Sequence, residues 1–146
     1  MTNSTNYPTT EYKLTGIELL DIHLYYEKRP QSEIKQYHFN INIEHKINMK
    51  KQLVSAITSV SVLHEDNATL LGSIKVACNY EVKNLEEFAD YENKTVDFPK
   101  EMLTDLNTVS ISTTRGVMFA NFSGTFLHNA HLPLIDPGQF TKKNQE

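Results

Sequence analysis

The sequence predicts an α+β fold: a four-stranded antiparallel sheet with a long helix packed on one face. Three observations lead there. Residues 37–47 alternate apolar and polar side chains, the period of a strand with one buried and one wet face. Two more strand-like runs, 53–63 and 70–82, follow at hairpin distance. The long stretch of helical spacing comes after Asp97. Strands first and helix last is the order of a domain whose helices gather on one face of an antiparallel sheet.

Residues 1–10 are polar and read as a disordered segment ahead of a single domain over 11–140, with a polar tail at 141–146. In the first strand, Leu14, Ile17, Leu19, Ile22 and Leu24 shift face across Gly16, which predicts a bulge or a close backbone approach. Residues 27–36, with Arg29 and Pro30, form a charged loop or crossover. The second strand sets Tyr37, Phe39, Ile41, Ile43 and Ile47 against His38, Asn40, Asn42, Glu44 and Lys46. The third is apolar on both faces, with Leu53, Ile57 and Leu63 on one and Val54, Ala56, Val60 and Val62 on the other. His64 to Asn67 carries hairpin chemistry. The fourth turns Leu70, Ile74, Val76, Cys78, Tyr80 and Val82 inward, with a disruption at Gly72.

Asn84 and Glu87 have the spacing of a capping box on a short helix. Asp97 is the expected cap of the long helix, with Pro99 in its first turn. Its apolar stripe reads Phe98, Met102, Leu106, Val109, Thr113, Val117 and Ala120. Gly124 is one stop signal. The β-branched stretch 109–114 leaves a break at Gly116 as the alternative. Beyond Gly124, Phe126, Leu127, Leu132, Leu134 and Ile135 sit in a segment broken by Pro133 and Pro137, where neither helix nor regular strand hides them. Such a segment packs on the domain's own sheet, on another subunit, or on a partner.

At 146 residues the chain is one domain by length, able to bury about 70% of its unfolded surface. A net charge of −4 disfavours nucleic-acid binding, and no apolar run approaches the length of a membrane span. The first ten residues have neither the basic start nor the apolar run of a signal peptide. A lone cysteine, Cys78, suits a reducing cytoplasm, where the four glycosylation sequons are chance matches.

The case for an enzyme is weak. His128 and His131 lack a third ligand and a helix to hold them, so no metal is expected. His23, His38, His45 and His64 are read as outward strand positions. Residues 110–114 are hydroxyl-rich without the glycine frame of a reactive serine, and Cys78 falls on an inward face as an inert thiol. With no phosphate loop, no cofactor is expected. Surfaces remain. Tyr25, Tyr26, Tyr37 and Phe39 border the charged loop, as core or as an exposed aromatic groove. With Phe126, Leu127, Leu132, Leu134 and Ile135 they are the candidate client-binding residues. The doubly apolar third strand makes Val54, Val60 and Val62 the candidate oligomer interface. Arg115 joins them, placed to pair with a carboxylate at a subunit contact or to sit in solvent.

In this order of elements the chain resembles the SecB family of protein-export chaperones. The carriers are Tyr12-Lys-Leu-Thr-Gly-Ile in the first strand ending at Asp21-Ile22, then Asp97-Phe98-Pro99, Thr114-Arg115-Gly116, Gly124-Thr125-Phe126 and Leu132-Pro133-Leu134. The resemblance implies a cytoplasmic homotetramer, a dimer of dimers, that holds non-native polypeptides without ATP and delivers preproteins to the motor SecA. It places Asp21 and Leu71 in the SecA-docking patch, but Tyr25 and Ser73 stand where the family carries carboxylates. The spacing from Phe98 to Gly124 is longer than the family pattern, and the residues after Phe140 are too few for a second helix. These departures point to a divergent branch, which includes SecB-like chaperones that guard an antitoxin. A small-molecule or lipid binder, with the sheet wrapped around a cavity under the helix, is the competing class.

Overall fold

The computed structural model describes residues 12–136. The segment expected to be disordered, the polar tail and Pro137 lie outside that range. The fold is α+β, as the sequence predicts. Four strands, β1 (Tyr12–Leu24), β2 (His38–Asn48), β3 (Leu53–Leu63) and β4 (Leu70–Val82), form an antiparallel sheet in the order β1-β4-β3-β2. The chain leaves β1 at one edge, crosses to β2 at the other, and returns through two hairpins to pair β4 with β1. A two-stranded ribbon, β5 (Ala89–Asp90) and β6 (Thr95–Val96), precedes the helix α1 (Lys100–Phe122). α1 lies over β3 and β4.

The seam between α1 and the sheet is the core. From β3 it takes Val54, Ala56, Thr58, Val60 and Val62, and from β4 Ile74, Val76, Cys78, Tyr80 and Val82, all buried. From α1 it takes Met102, Leu103, Leu106, Asn107, Ser110, Ile111, Thr114, Met118 and Phe122. The predicted stripe holds at Met102 and Leu106, then turns by one position, leaving Val109 and Ala120 on the wet side. Three of the inward residues that replace it, Asn107, Ser110 and Thr114, are polar, which is why hydropathy spacing missed them. Each buried aliphatic side chain here stabilises the fold by roughly 1.5–3 kcal/mol.

Several local expectations are corrected. Asp97 does not cap α1: the cap position is Pro99, with no side-chain cap bond. The helix runs through Gly116 and stops at Phe122, and Gly124 follows with φ +81°. Packing of its inner face overrides the weak helix propensity of the β-branched stretch. Asn84 sits at φ 58° without a capping bond, so the capping box does not form. The His64 to Asn67 hairpin is as expected. Asp66 accepts from the hydroxyl and N–H of Thr69 and the N–H of Ala68, which together hold its carboxyl at about 2.

Candidate functional site

β1 leaves a continuous row of apolar side chains open. Its pairing with β4 skips Thr15 and Leu20, so it carries two bulges. The spacing of three from Leu14 to Ile17, and again from Leu19 to Ile22, is therefore compensated. Leu14, Ile17, Leu19, Ile22 and Leu24 pair with Tyr80, Cys78, Val76, Ile74 and Gly72, and so share the face that α1 covers elsewhere. The bulge expected at Gly16 is present, and with the second at Leu20 it keeps these residues on one face. Yet α1 does not cover this strand beyond its start, and Ile17 remains 50% exposed, with Leu14 and Leu19 at 39% and 43%. At the strand's start Tyr12 donates a short hydrogen bond to Asp105 on α1. Burial, then the Asp105 carboxylate, pushes the Tyr12 hydroxyl up to about 12.

At the far end of β1 a second apolar patch forms. One row runs across the whole sheet: Leu24, Gly72, Val62 and Phe39. On Gly72 sits Leu127, whose Cδ1 is 2.6 Å from where a β-carbon would be. Leu127 is thus a plug in a hole that glycine leaves. On the β1 side of the plug, Tyr26 and Phe126 meet edge to face at 5.3 Å and Tyr25 stacks on His23 at 6.0 Å. On the β2 side, Tyr37 and Phe39 lie 6.5 Å apart. The strand spacing separates these two aromatic corners by roughly 15 Å. The sequence-predicted aromatics therefore share one end of the sheet without forming one cluster.

The C-terminal segment packs on the domain's own sheet, and it divides. Leu127, Ala130 and Leu132 are buried, whereas Leu134 is 95% exposed. Arg115 fixes the boundary: its Nε donates to the Leu132 carbonyl at 2.8 Å and a terminal nitrogen to that of Pro133 at 2.7 Å.

Seven expected site residues change role. Leu127 and Leu132 are anchors, closed to a client. Arg115 bonds backbone carbonyls of its own chain, not a carboxylate. Val54, Val60 and Val62 are sealed under α1 at 0–1% exposure, so no other subunit can touch them. Leu71, expected on the outer face, is fully buried, because β4 bulges between Leu70 and Gly72 and turns it inward. Asp21 is on the outer face, 3.2 Å from His23. Tyr25, Tyr37, Phe39, Phe126 and Ile135 are half-buried, and Tyr26 and Leu134 exposed. The expectation of outward histidines fails at His45, which shares the inward parity of Ile43 and Ile47 and bonds Asn107 at 2.9 Å. The bare β1 row was missed; the two gaps of three in an otherwise alternating strand were the signal for it.

Inside the seam, Tyr80 donates to the Leu106 carbonyl or the Ser110 hydroxyl, 3.1 and 2.8 Å away, and burial raises both Tyr80 and Cys78. A thiol held protonated in this way is a poor nucleophile. Among the described residues no group of three His, Cys, Asp or Glu side chains could hold a metal, and no helix is long and apolar enough to cross a membrane.

The fold is similar to that of the SecB-like chaperone Rv1957 of Mycobacterium tuberculosis, solved in complex with a ChAD peptide from the HigA1 antitoxin. The two share 13% identity over 85% of this chain and 89% of that one, with a TM-score of 0.52. A protein of unknown function from Streptococcus agalactiae aligns over 87% of this chain and 98% of its own at 9% identity, with a TM-score of 0.30. No family model and no curated protein sequence matches. At such identity the first likeness is one of fold.

Proposed function

We propose that the chain is a SecB-like holdase, an ATP-independent, non-enzymatic chaperone that binds non-native polypeptides in the cytoplasm. The observation that carries this reading is the apolar surface left open on a chain of net charge −4: Tyr26 and Leu134 beyond the end of β1, with Leu14, Ile17 and Leu19 along β1 as a second row that assembly can cover. Apolar area of this kind, rimmed by polar residues, is the mark of a protein-binding surface. Extended polypeptides suit it, because aromatic corners and single leucines grip side chains without reading sequence. The likeness to a SecB-like fold supports the same class.

Within this class a dedicated client, such as an antitoxin, is favoured over general export. The structural neighbour is a SecB-like chaperone in complex with an antitoxin peptide. On this chain the SecA-docking patch keeps only Asp21 on the surface, with Leu71 buried and Tyr25 and Ser73 in place of carboxylates. Assembly as a homotetramer, a dimer of dimers, draws on the open β1 row and on Val109 of α1, since Val54, Val60 and Val62 are closed. The test is aggregation of a slow-folding client released from denaturant, without nucleotide. A stoichiometric amount of this chain suppresses it in this reading, and unchanged aggregation rejects the holdase.

A further inference from the structure

β2 is an edge strand, and α1 lies over β3 and β4 rather than over it. Besides the buried Ile43, β2 meets the helix through a polar contact where an aliphatic one is expected. His45 interrupts the inward series Phe39, Ile41, Ile43 and Ile47, and its Nε2 lies 2.9 Å from the Asn107 Oδ1. Asn107 is fully buried in the middle of α1. The neutral ring fits this site, with Nε2–H donating to the Asn107 oxygen. The other ring nitrogen, Nδ1, is buried with no hydrogen-bond partner.

We infer that His45 is an acid-operated latch: a second proton on its ring releases β2 from α1 and opens the seam beneath to apolar segments of a client. The added proton would sit on a buried nitrogen with no hydrogen-bond partner, and among the described residues no carboxylate pairs with the ring. On β2, Glu44 and Lys46 point to the other face and pair with one another at 3.8 Å. Ala56 stands opposite on β3, with Thr58 beyond it, both uncharged. On α1, Leu103 and Ile111 flank Asn107 one turn away, both buried. The helix carboxylates are exposed, and Asp105 is engaged with Tyr12 on β1. An uncompensated imidazolium in such a site is strongly disfavoured, and relief comes by moving the ring to water. β2 is an edge strand paired with β3 alone, so leaving the seam requires opening only that one ladder.

Burial also lowers the His45 pKa, the Asn107 bond opposing it in part. The sign follows. Between the ordinary histidine value and the lower folded one, the open state takes a proton that the closed state refuses. The latch is therefore fully closed above about pH 6.5 and weakens as pH falls toward the folded value.

The client half of this inference rests on the holdase reading; the latch does not. Amide exchange of the full chain, corrected for intrinsic rates, is compared at about pH 7.5 and about pH 5. Residues 38–48 and 103–111 are expected to exchange on the order of tenfold faster in acid while β4 stays protected. His45→Gln, which cannot gain the charge, should lose that acid response. The ring's own titration by NMR should fall below the ordinary histidine range. A ring titrating at or above that range, or an equal acid response in His45→Gln, overturns the latch; if the variant does not fold, the titration and exchange of the natural chain decide. Opening in acid without a gain in client holding overturns the client half. Failure to hold clients at either pH rejects the holdase reading and leaves the latch to the exchange data.

Discussion

Two apolar rows lie on the same face of the same sheet, and their fates differ. On β3, Val54, Val60 and Val62 are sealed by α1, while on β1, Leu14, Ile17 and Leu19 stand open. The residue types are alike. What separates core from open surface is where α1 crosses: over β3 and β4, touching β1 at Tyr12. A strand that looks doubly apolar in sequence is thus the closed one, and the strand with broken alternation is the one available to partners.

Charge placed in each row breaks that comparison most sharply. Val60→Asp should unfold the chain, costing about 4 kcal/mol or more by leaving an unpaired charge in a dry site. Ile17→Asp should change stability by no more than about 0.5 kcal/mol while abolishing self-association. Urea unfolding of both variants, with their masses in solution, checks the pair. If Val60→Asp stays folded and merely dissociates, the two rows have been assigned the wrong way round.

The C-terminal segment offers the same contrast at smaller scale. Leu132→Ser should cost roughly 2–4 kcal/mol through lost packing and a buried hydroxyl, and Leu134→Ser almost nothing. Client affinity should respond the other way, falling for Leu134→Ser in a folded background. Thermal melts beside a binding titration separate the two effects. Gly72→Ala comes next, at about 1–3 kcal/mol. Its β-carbon would stand 2.6 Å from the Leu127 Cδ1 and 2.8 Å from the His23 carbonyl oxygen, and only the leucine can yield. Loosening of the Leu127 plug should show as faster exchange at residues 126–132, and an unchanged melt would mean the plug is not seated there.

The smallest effect expected is on SecA. Two carboxylates missing from a docking patch lower affinity by roughly 1–2 kcal/mol, a five- to thirtyfold loss. Burial of Leu71 weakens the patch further. Calorimetry against the SecA tail should show weak binding or none, and submicromolar, salt-sensitive binding lost in Asp21→Ala would restore the export role.

The sheet and the long helix were legible because β2, β3 and β4 carry their period in plain hydropathy. The rest was hidden for identifiable reasons. The bulge beside Gly16 was legible, but the one at Leu20, which keeps Ile22 and Leu24 on the same face, was not. A bulge at Leu71 turns inward a residue that parity places outward. His45 and Asn107 bond one another across the seam, so two polar residues occupy core positions that hydropathy assigns to solvent. Gly72 was recognised as a disruption, but its use, a socket for Leu127 more than fifty residues later, is a contact no local pattern carries. Open and closed rows are likewise set by the path of α1, a tertiary fact.

The most direct measurement of the central claim is solution mass by light scattering, with and without an unfolded polypeptide. An open β1 row and an exposed C-terminal leucine predict an assembly larger than the 16.8 kDa chain, gaining the mass of the client when one is present. A mass of 16.8 kDa in both states, at micromolar concentration, would contradict it.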